Sequence, residues 1–309
     1  MTDEEHDEEV ARRAALSPVL ASDEFRPLSA AVRAEIGGRS ARGTSRSWIN
    51  EHYLAMRLSR GQETLVTSLS ADDLPPRFEE YGYAMLVADG LGEGGAGSVA
   101  SRVALSTFAH LALHFGRWNL RIDSTVAAEI FERAEFFYSR ADAAVQTSSR
   151  TSPILANMTT TLTAAYSVGD DLFIAHVGHS RAYLFREGAL TLLTRDHTIE
   201  QHLADRARPV PVERRAQDLC HILTDAVGAG GGHPMVEVER FKLKDGDSVL
   251  LCTNGLTDAV DEGDIADLLA LRRKPEEQCA LLIETANERG SKDNITVVLA
   301  QYRVPAPSA

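Results

Sequence analysis

Tyr83 to Ser101 reads YAMLVADGLGEGGAGSVAS. An apolar run, Ala84 to Ala88, stops at a single acid, Asp89. Five glycines follow within eight residues, and then comes a helix-like segment, Val99 to Phe115. A strand that ends in a lone carboxylate followed at once by glycine places that carboxylate on the rim of a sheet. There it can hold a metal ion, and the missing side chain at Gly90 lets the adjoining carbonyl approach the ion. Gly90, Gly92 and Gly95 also satisfy GxGxxG, the phosphate cradle of dinucleotide folds. That cradle needs a helix N-terminus free to receive an anion, and then a second strand ending in an acid. Here Asp89 precedes the first glycine, Glu93 lies inside the loop, and the next segment reads as a second helix. Two acids oppose an anionic ligand, so the metal rim is the stronger reading.

Working outward, apolar and polar residues alternate from Tyr53 to Leu69, which predicts two strands separated at Arg60-Gly61. Pro75-Pro76 marks a loop. Beyond the glycines, Val99–Phe115 and Val126–Val145 have helical spacing. A strand-rich block follows: Thr159–Ser167, Leu172–Val177, Ala182–Arg186 and Leu190–Leu193. Gly169-Asp170 and Glu187-Gly188 supply the hairpin turns. Residues 199–235 read as irregular, a candidate flap. Two strands (Val236–Leu243, Ser248–Thr253), two helices (Asp264–Leu271, Glu276–Glu288) and a last strand (Ile295–Tyr302) complete the chain. Pairs of helices between groups of hairpins predict an α+β sandwich, whereas a βαβ repeat would alternate one by one.

The 309 residues, 44% hydrophobic and 25% charged, suffice for one large domain with an ample core. Residues 1–40 read as an acidic, polar N-terminal extension, 41–303 as the folded domain and 304–309 as a tail. A formal charge of −13 repels phosphate backbones and argues against nucleic acid as a partner. No apolar run approaches the roughly 18 residues that cross a bilayer, so no membrane partner is expected. The acidic start is unlike a signal peptide. Cys220, Cys252 and Cys279 are far apart and form no CxxC pair, as expected of a reduced, cytoplasmic protein.

A metal site needs further carboxylates. Asp293, just ahead of the last strand, and Glu51, ahead of the first, stand in the same kind of position as Asp89, and Arg46 lies five residues before Glu51. Six colinear stretches then carry a resemblance. They are Val87–Gly92 with Gly97–Ser101, Met158–Leu162, Ala175–Leu184, Leu193–His197, Leu250–Leu256 and Asp293–Val298. From about Arg42 to Tyr302 the chain resembles the PPM family, the metal-dependent type 2C protein Ser/Thr phosphatases, in a bacterial form. The resemblance implies a four-layer α-β-β-α sandwich, two antiparallel sheets flanked by helix pairs, with the metal site in a cleft at one end. It also implies up to two Mn or Mg ions and hydrolysis of phosphomonoesters by water activated at those ions. Carried over residue by residue, it makes Asp89 the bridging ligand, aided by the Gly90 carbonyl. Asp293 becomes a ligand and Arg46 the phosphate-binding group.

The ligand positions depart from the family pattern. Asn254 stands where the family has Asp before Gly-Leu, and His179 where it has Asp before Ser-Arg. The spacing from Arg46 puts Glu51 in the aspartate slot of the first motif and Asn50 in its glutamate slot; a register one residue later would put His52 in the aspartate slot instead. An amide oxygen can coordinate but carries no charge, and hard ions favour charged oxygens. His179, and with it His52, are possible ligands for a softer ion. Two readings follow. One is a phosphatase-fold protein with a degenerate centre, weakly active or inactive, that binds a phosphoprotein or kinase-pathway partner. The other is an active Mn- or Mg-dependent Ser/Thr phosphatase.

Overall fold

The computed structural model describes residues 32–62, 65–68, 78–115, 124–206, 219–230 and 232–305. In chain order the elements are β1 (Arg33–Ala41), β2 (Glu51–Gln62), β3 (Phe78–Leu91), α1 (Ala96–Phe115) and α2 (Ser124–Ser149). Next come β4 (Thr159–Thr160), β5 (Leu162–Val168), β6 (Asp171–Val177), β7 (Arg181–Arg186), β8 (Ala189–Leu192) and α3 (Ile199–Asp205). The last are β9 (Glu237–Lys242), β10 (Ser248–Cys252), α4 (Asn254–Thr257), α5 (Glu262–Ala270), α6 (Pro275–Glu288) and β11 (Ile295–Arg303).

The strands form two antiparallel sheets. One has the order β1-β11-β10-β7-β8; the other has β2-β3-β5-β6-β9, with β4 on β3. Side chains alternate across each strand, and that alternation builds the layers. On β3, Met85 and Val87 pack against the other sheet, where Leu251, Val298 and Ala300 meet them. Ala84, Leu86 and Ala88 of the same strand pack against Ala100, Ala104 and Phe108 of α1 and Tyr138 of α2. On β11, Val298, Ala300 and Tyr302 face inward, while Ile295, Val297 and Leu299 meet Ile265, Cys279 and Leu282 of α5 and α6. Both central strands are therefore apolar on both faces, which is why they read as continuous runs rather than as alternation. The result is the expected α-β-β-α sandwich. Among the described residues no helix is long and apolar enough to cross a membrane.

Three sequence expectations change. The polar stretch assigned to an extension up to residue 40 contributes 33–40 to β1, paired with β11 along its length. Gly37-Gly38 lie inside this strand because α6 and the Tyr53 ring press on it: a Cβ at Gly37 would meet the Pro275–Glu276 backbone, and one at Gly38 the ring. Residues 1–31 lie outside the described residues. The break at Arg60-Gly61 is absent, since β2 pairs with β3 without interruption from Glu51 to Gln62. Part of the irregular stretch 199–235 is helical: Thr198 caps α3 by accepting a hydrogen bond from the Gln201 amide.

Candidate metal and phosphate site

Asp89 lies near the end of β3, directly opposite Glu51 on β2. Its backbone is fixed on both sides. Its carbonyl accepts from the Thr161 amide at 2.8 Å and from Thr160 Oγ1 at 2.9 Å, and its amide donates to Thr161 Oγ1 at 3.1 Å. The Gly90 amide donates to the Asn50 carbonyl at 3.2 Å. A Cβ on Gly90 would collide with the Gly97 carbonyl, so glycine is needed here to seat α1 on the strand end. Gly92, Gly94 and Gly95 all have positive φ and carry the chain through a tight turn into α1. The next strands after the two helices, β4 and β5, both pair antiparallel with β3, so the dinucleotide topology is absent.

Glu51 is buried, and Thr253 Oγ1 donates to its Oε2 at 2.9 Å. The same hydroxyl accepts from the Thr296 amide at 2.9 Å, which ties the start of β2 to β11 and to the turn carrying Asn254. Asp293 receives both arms of the Arg46 guanidinium, Nε to Oδ1 and Nη2 to Oδ2, each at 2.6 Å. Burial, with Asp89 adding to it, holds the Glu51 carboxyl well above the usual range. Asp89 is pushed up to about 7, by burial first and then by the charge of Asp293, with Arg46 pulling the other way.

Asn254 opens α4; its Nδ2 donates to Asp258 Oδ2 at 3.3 Å. His179 occupies the turn between β6 and β7, packed so closely that a Cβ at the preceding Gly178 would strike Thr161. Burial lowers the His179 imidazole to about 4. The Asp89 amide donates to Thr161 Oγ1, which lies 2.8 Å from Ser180 Oγ, so the turn carrying His179 adjoins the same rim. His52 is elsewhere. One residue out of phase with Glu51, it points at α1, with Nδ1 2.8 Å from Ser101 Oγ. His176 and His197 serve the framework, His176 bridging Thr163 Oγ1 and the Gly178 carbonyl.

Four buried side-chain atoms have no hydrogen-bond partner among the described residues: Asn50 Oδ1, Glu51 Oε1, His179 Nδ1 and Asn254 Oδ1. All four belong to segments bonded to the Asp89 rim. An unpaired buried polar atom costs about 1–3 kcal/mol, and four at one place mark a spot shaped for something more than protein. Three are oxygens, the donors a hard divalent cation takes, so the residues present fit such an ion. Among the described residues, no three His, Cys, Asp or Glu side chains already cage one, and both Asp293 oxygens are held by Arg46.

The structure thus gathers Arg46, Glu51, Asp89, Gly90, Asn254, Asp293 and His179, and leaves His52 aside. The sequence puts Asn50 only in the glutamate slot of the first motif and gives Thr253 and Asp258 no role. Asp258 carried a signal, lying four residues after Asn254 and hence on the same helix face. Thr253 carried none, because its role depends on contacts across the sheets.

The family model for protein phosphatase 2C matches residues 60–299. The chain is 32% identical over 218 residues to the serine/threonine protein phosphatase PstP of Mycobacterium tuberculosis, a match covering 70% of this chain and 40% of that protein's length. The chain therefore spans less than half of that relative. It is 31% identical over 219 residues to the serine/threonine phosphatase stp of Listeria monocytogenes, covering 70% and 83% of the two chains. In solved structures, the PstP catalytic domain in complex with two manganese ions superposes with a TM-score of 0.67 at 28% identity, over 88% of this chain and 99% of that one. With the sandwich, the colinear stretches and the matched residues in agreement, this chain belongs to the protein phosphatase 2C family.

Proposed function

We propose that this protein is a divalent-metal-dependent phosphatase of phosphoserine and phosphothreonine residues in proteins, working with a depleted ligand set. The observation that carries this reading is that four partnerless buried atoms all lie on segments bonded to the Asp89 strand end. A fold that had abandoned its ion would have no reason to keep that cost. Asp89, Glu51, Asp293, the Gly90 carbonyl and the Asn254 amide oxygen would hold Mn or Mg. Such ions, when bound, acidify water and neutralise phosphoryl oxygens.

The chain's own residues supply the rest. Arg46 offers a planar two-pronged donor that suits a phosphate as well as it suits Asp293, so phosphate and Asp293 share or exchange that fork. Thr253 fixes one Glu51 oxygen and leaves the other unpartnered. The names of the relatives support the substrate class, and the acidic surface suits protein rather than nucleic acid partners.

A second reading, a non-hydrolysing scaffold for a phosphoprotein or kinase-pathway partner in the cytoplasm, is favoured by the neutral Asn254 and by the absence of a preformed three-residue cage among the described residues.

The experiment is phosphate release from a phosphothreonine peptide in millimolar MnCl2, with and without chelator. Turnover that Asp89→Ala abolishes supports hydrolysis. Absence of both turnover and calorimetric Mn binding overturns it in favour of the scaffold. Restoring Asn254→Asp with His179→Asp should raise Mn affinity by about 10–100-fold.

A further inference from the structure

The β1–β2 connection, residues 42–50, is held tightly yet displays its largest side chain to water. The Thr44 amide and hydroxyl both donate to the Ser291 carbonyl, at 3.2 and 3.0 Å, and the Ser45 amide donates to the Lys292 carbonyl at 3.0 Å. Asn294 clasps both ends, accepting from the Gly43 amide at 3.4 Å and donating to the Trp48 carbonyl at 2.9 Å. Gly43 sits so close to Asp293 that a Cβ would strike the Asp293 carbonyl. On this fixed loop Trp48 is 62% exposed and Ile49 39% exposed. Slack in the loop cannot explain that exposure, since the backbone on either side of the indole is pinned.

Trp48 lies two residues from Arg46, whose guanidinium marks the phosphate end of the site. Two residues of chain span at most about 7 Å even when fully extended, and the bends at Ser47 and Trp48 shorten that span. A phosphate at the Arg46 fork therefore brings the side chains flanking the phosphorylated residue within reach of the indole. A rigid, exposed aromatic beside a functional group is the kind of anchor that dominates recognition, because a large apolar area is buried at little cost in side-chain freedom.

We propose that Trp48, with Ile49, is a specificity-determining platform that receives an apolar side chain adjacent to the phosphorylated serine or threonine of the substrate. The proposal rests on the phosphatase reading for the nature of the phosphorylated partner. It concerns binding and not the hydrolytic step, so Trp48 sets specificity and takes no part in the chemistry.

The test uses the full chain with MnCl2 and two phosphothreonine peptides of equal length. One carries leucine on both sides of the phosphothreonine, the other glutamate. The wild type should prefer the leucine peptide by roughly tenfold in kcat/KM, through KM. Trp48→Ala should bring that ratio near one, and Trp48→Phe should restore most of it.

An independent readout is fluorescence. The chain has two tryptophans, Trp48 and Trp118. In a Trp118→Phe background the remaining emission should shift on adding the leucine peptide and stay unchanged with the glutamate peptide. Turnover without peptide preference and without a spectral shift overturns the platform and leaves the phosphatase standing. A spectral shift specific to the leucine peptide, with no turnover, sustains the platform and removes the phosphatase.

Discussion

His176 shows how burial, more than any other influence, sets a protonation state. Its Nε2 lies 2.9 Å from a carbonyl, Gly178, and so carries a proton; Nδ1 lies 2.8 Å from Thr163 Oγ1, whose hydroxyl also reaches the Ser180 carbonyl at 3.0 Å. Burial, aided by His197, lowers this imidazole to about 3, against an ordinary value of 6.5. Between those two pH values the unfolded chain binds more protons than the folded one. The stability owed to the neutral ring is therefore complete above about pH 6.5 and lost as pH falls toward 3, by about 1.4 kcal/mol per pH unit. Asp89 and Glu51, pushed upward, act in the opposite sense, so the measurement must be a difference. From pH 7 to pH 5 the wild type should lose about 2 kcal/mol more than His176→Gln in urea unfolding. Parallel curves would mean that the ring is not held neutral. In the sequence His176 carried no chemical signal beyond its place in a quoted stretch, because the neighbours that desolvate it arrive from other strands.

At the scale of elements, the clasp made by Asn294 joins the loop after β1 to the turn before β11. Asn294→Ala would leave the Gly43 amide and the Trp48 carbonyl without their partner and should cost about 1–3 kcal/mol in chemical denaturation. It should also slow phosphate release, since Arg46 rides on the same loop. Unchanged stability would show that the loop is held by its other bonds. The hairpins β5–β6 and β7–β8 were legible from acid–glycine pairs between apolar runs, which are local signals. Asp89, Asp293 and Glu51 were legible for a related reason: each stands where a strand meets its loop. β1 was not, since Gly37-Gly38 looks like punctuation until α6 and Tyr53 are seen pressing on it. α3 was not either; seven residues give too little helical period to read, and its Thr198 cap is visible only in three dimensions. Spacing from Arg46 and strand phase set Glu51 ahead of His52, and the structure pairs Glu51 with Asp89 and turns His52 toward Ser101.

For the whole molecule, an ion that binds the folded state and not the unfolded chain adds stability by mass action. At 100 times its dissociation constant the gain is about 2.7 kcal/mol, which corresponds to a rise in melting temperature of roughly 5 °C or more in a domain of this size. Mn should produce that shift in the wild type and not in Asp89→Ala; equal shifts would place the ion elsewhere. The sandwich itself was readable because helix pairs and hairpin groups come in blocks along the chain. The site was readable only as a set of segments, since Arg46 and the Asp293 it grips are 247 positions apart. That separation bears on how the protein is made. β11 lies between β1 and β10, so the first sheet cannot close until residue 303 has left the ribosome. At about 5–20 residues per second, Asp89 and Glu51 wait roughly ten to forty seconds for Asp293. Through that interval β1 is a strand without its neighbour, and a nascent chain halted before β11 is a client for chaperones rather than a smaller copy of the fold.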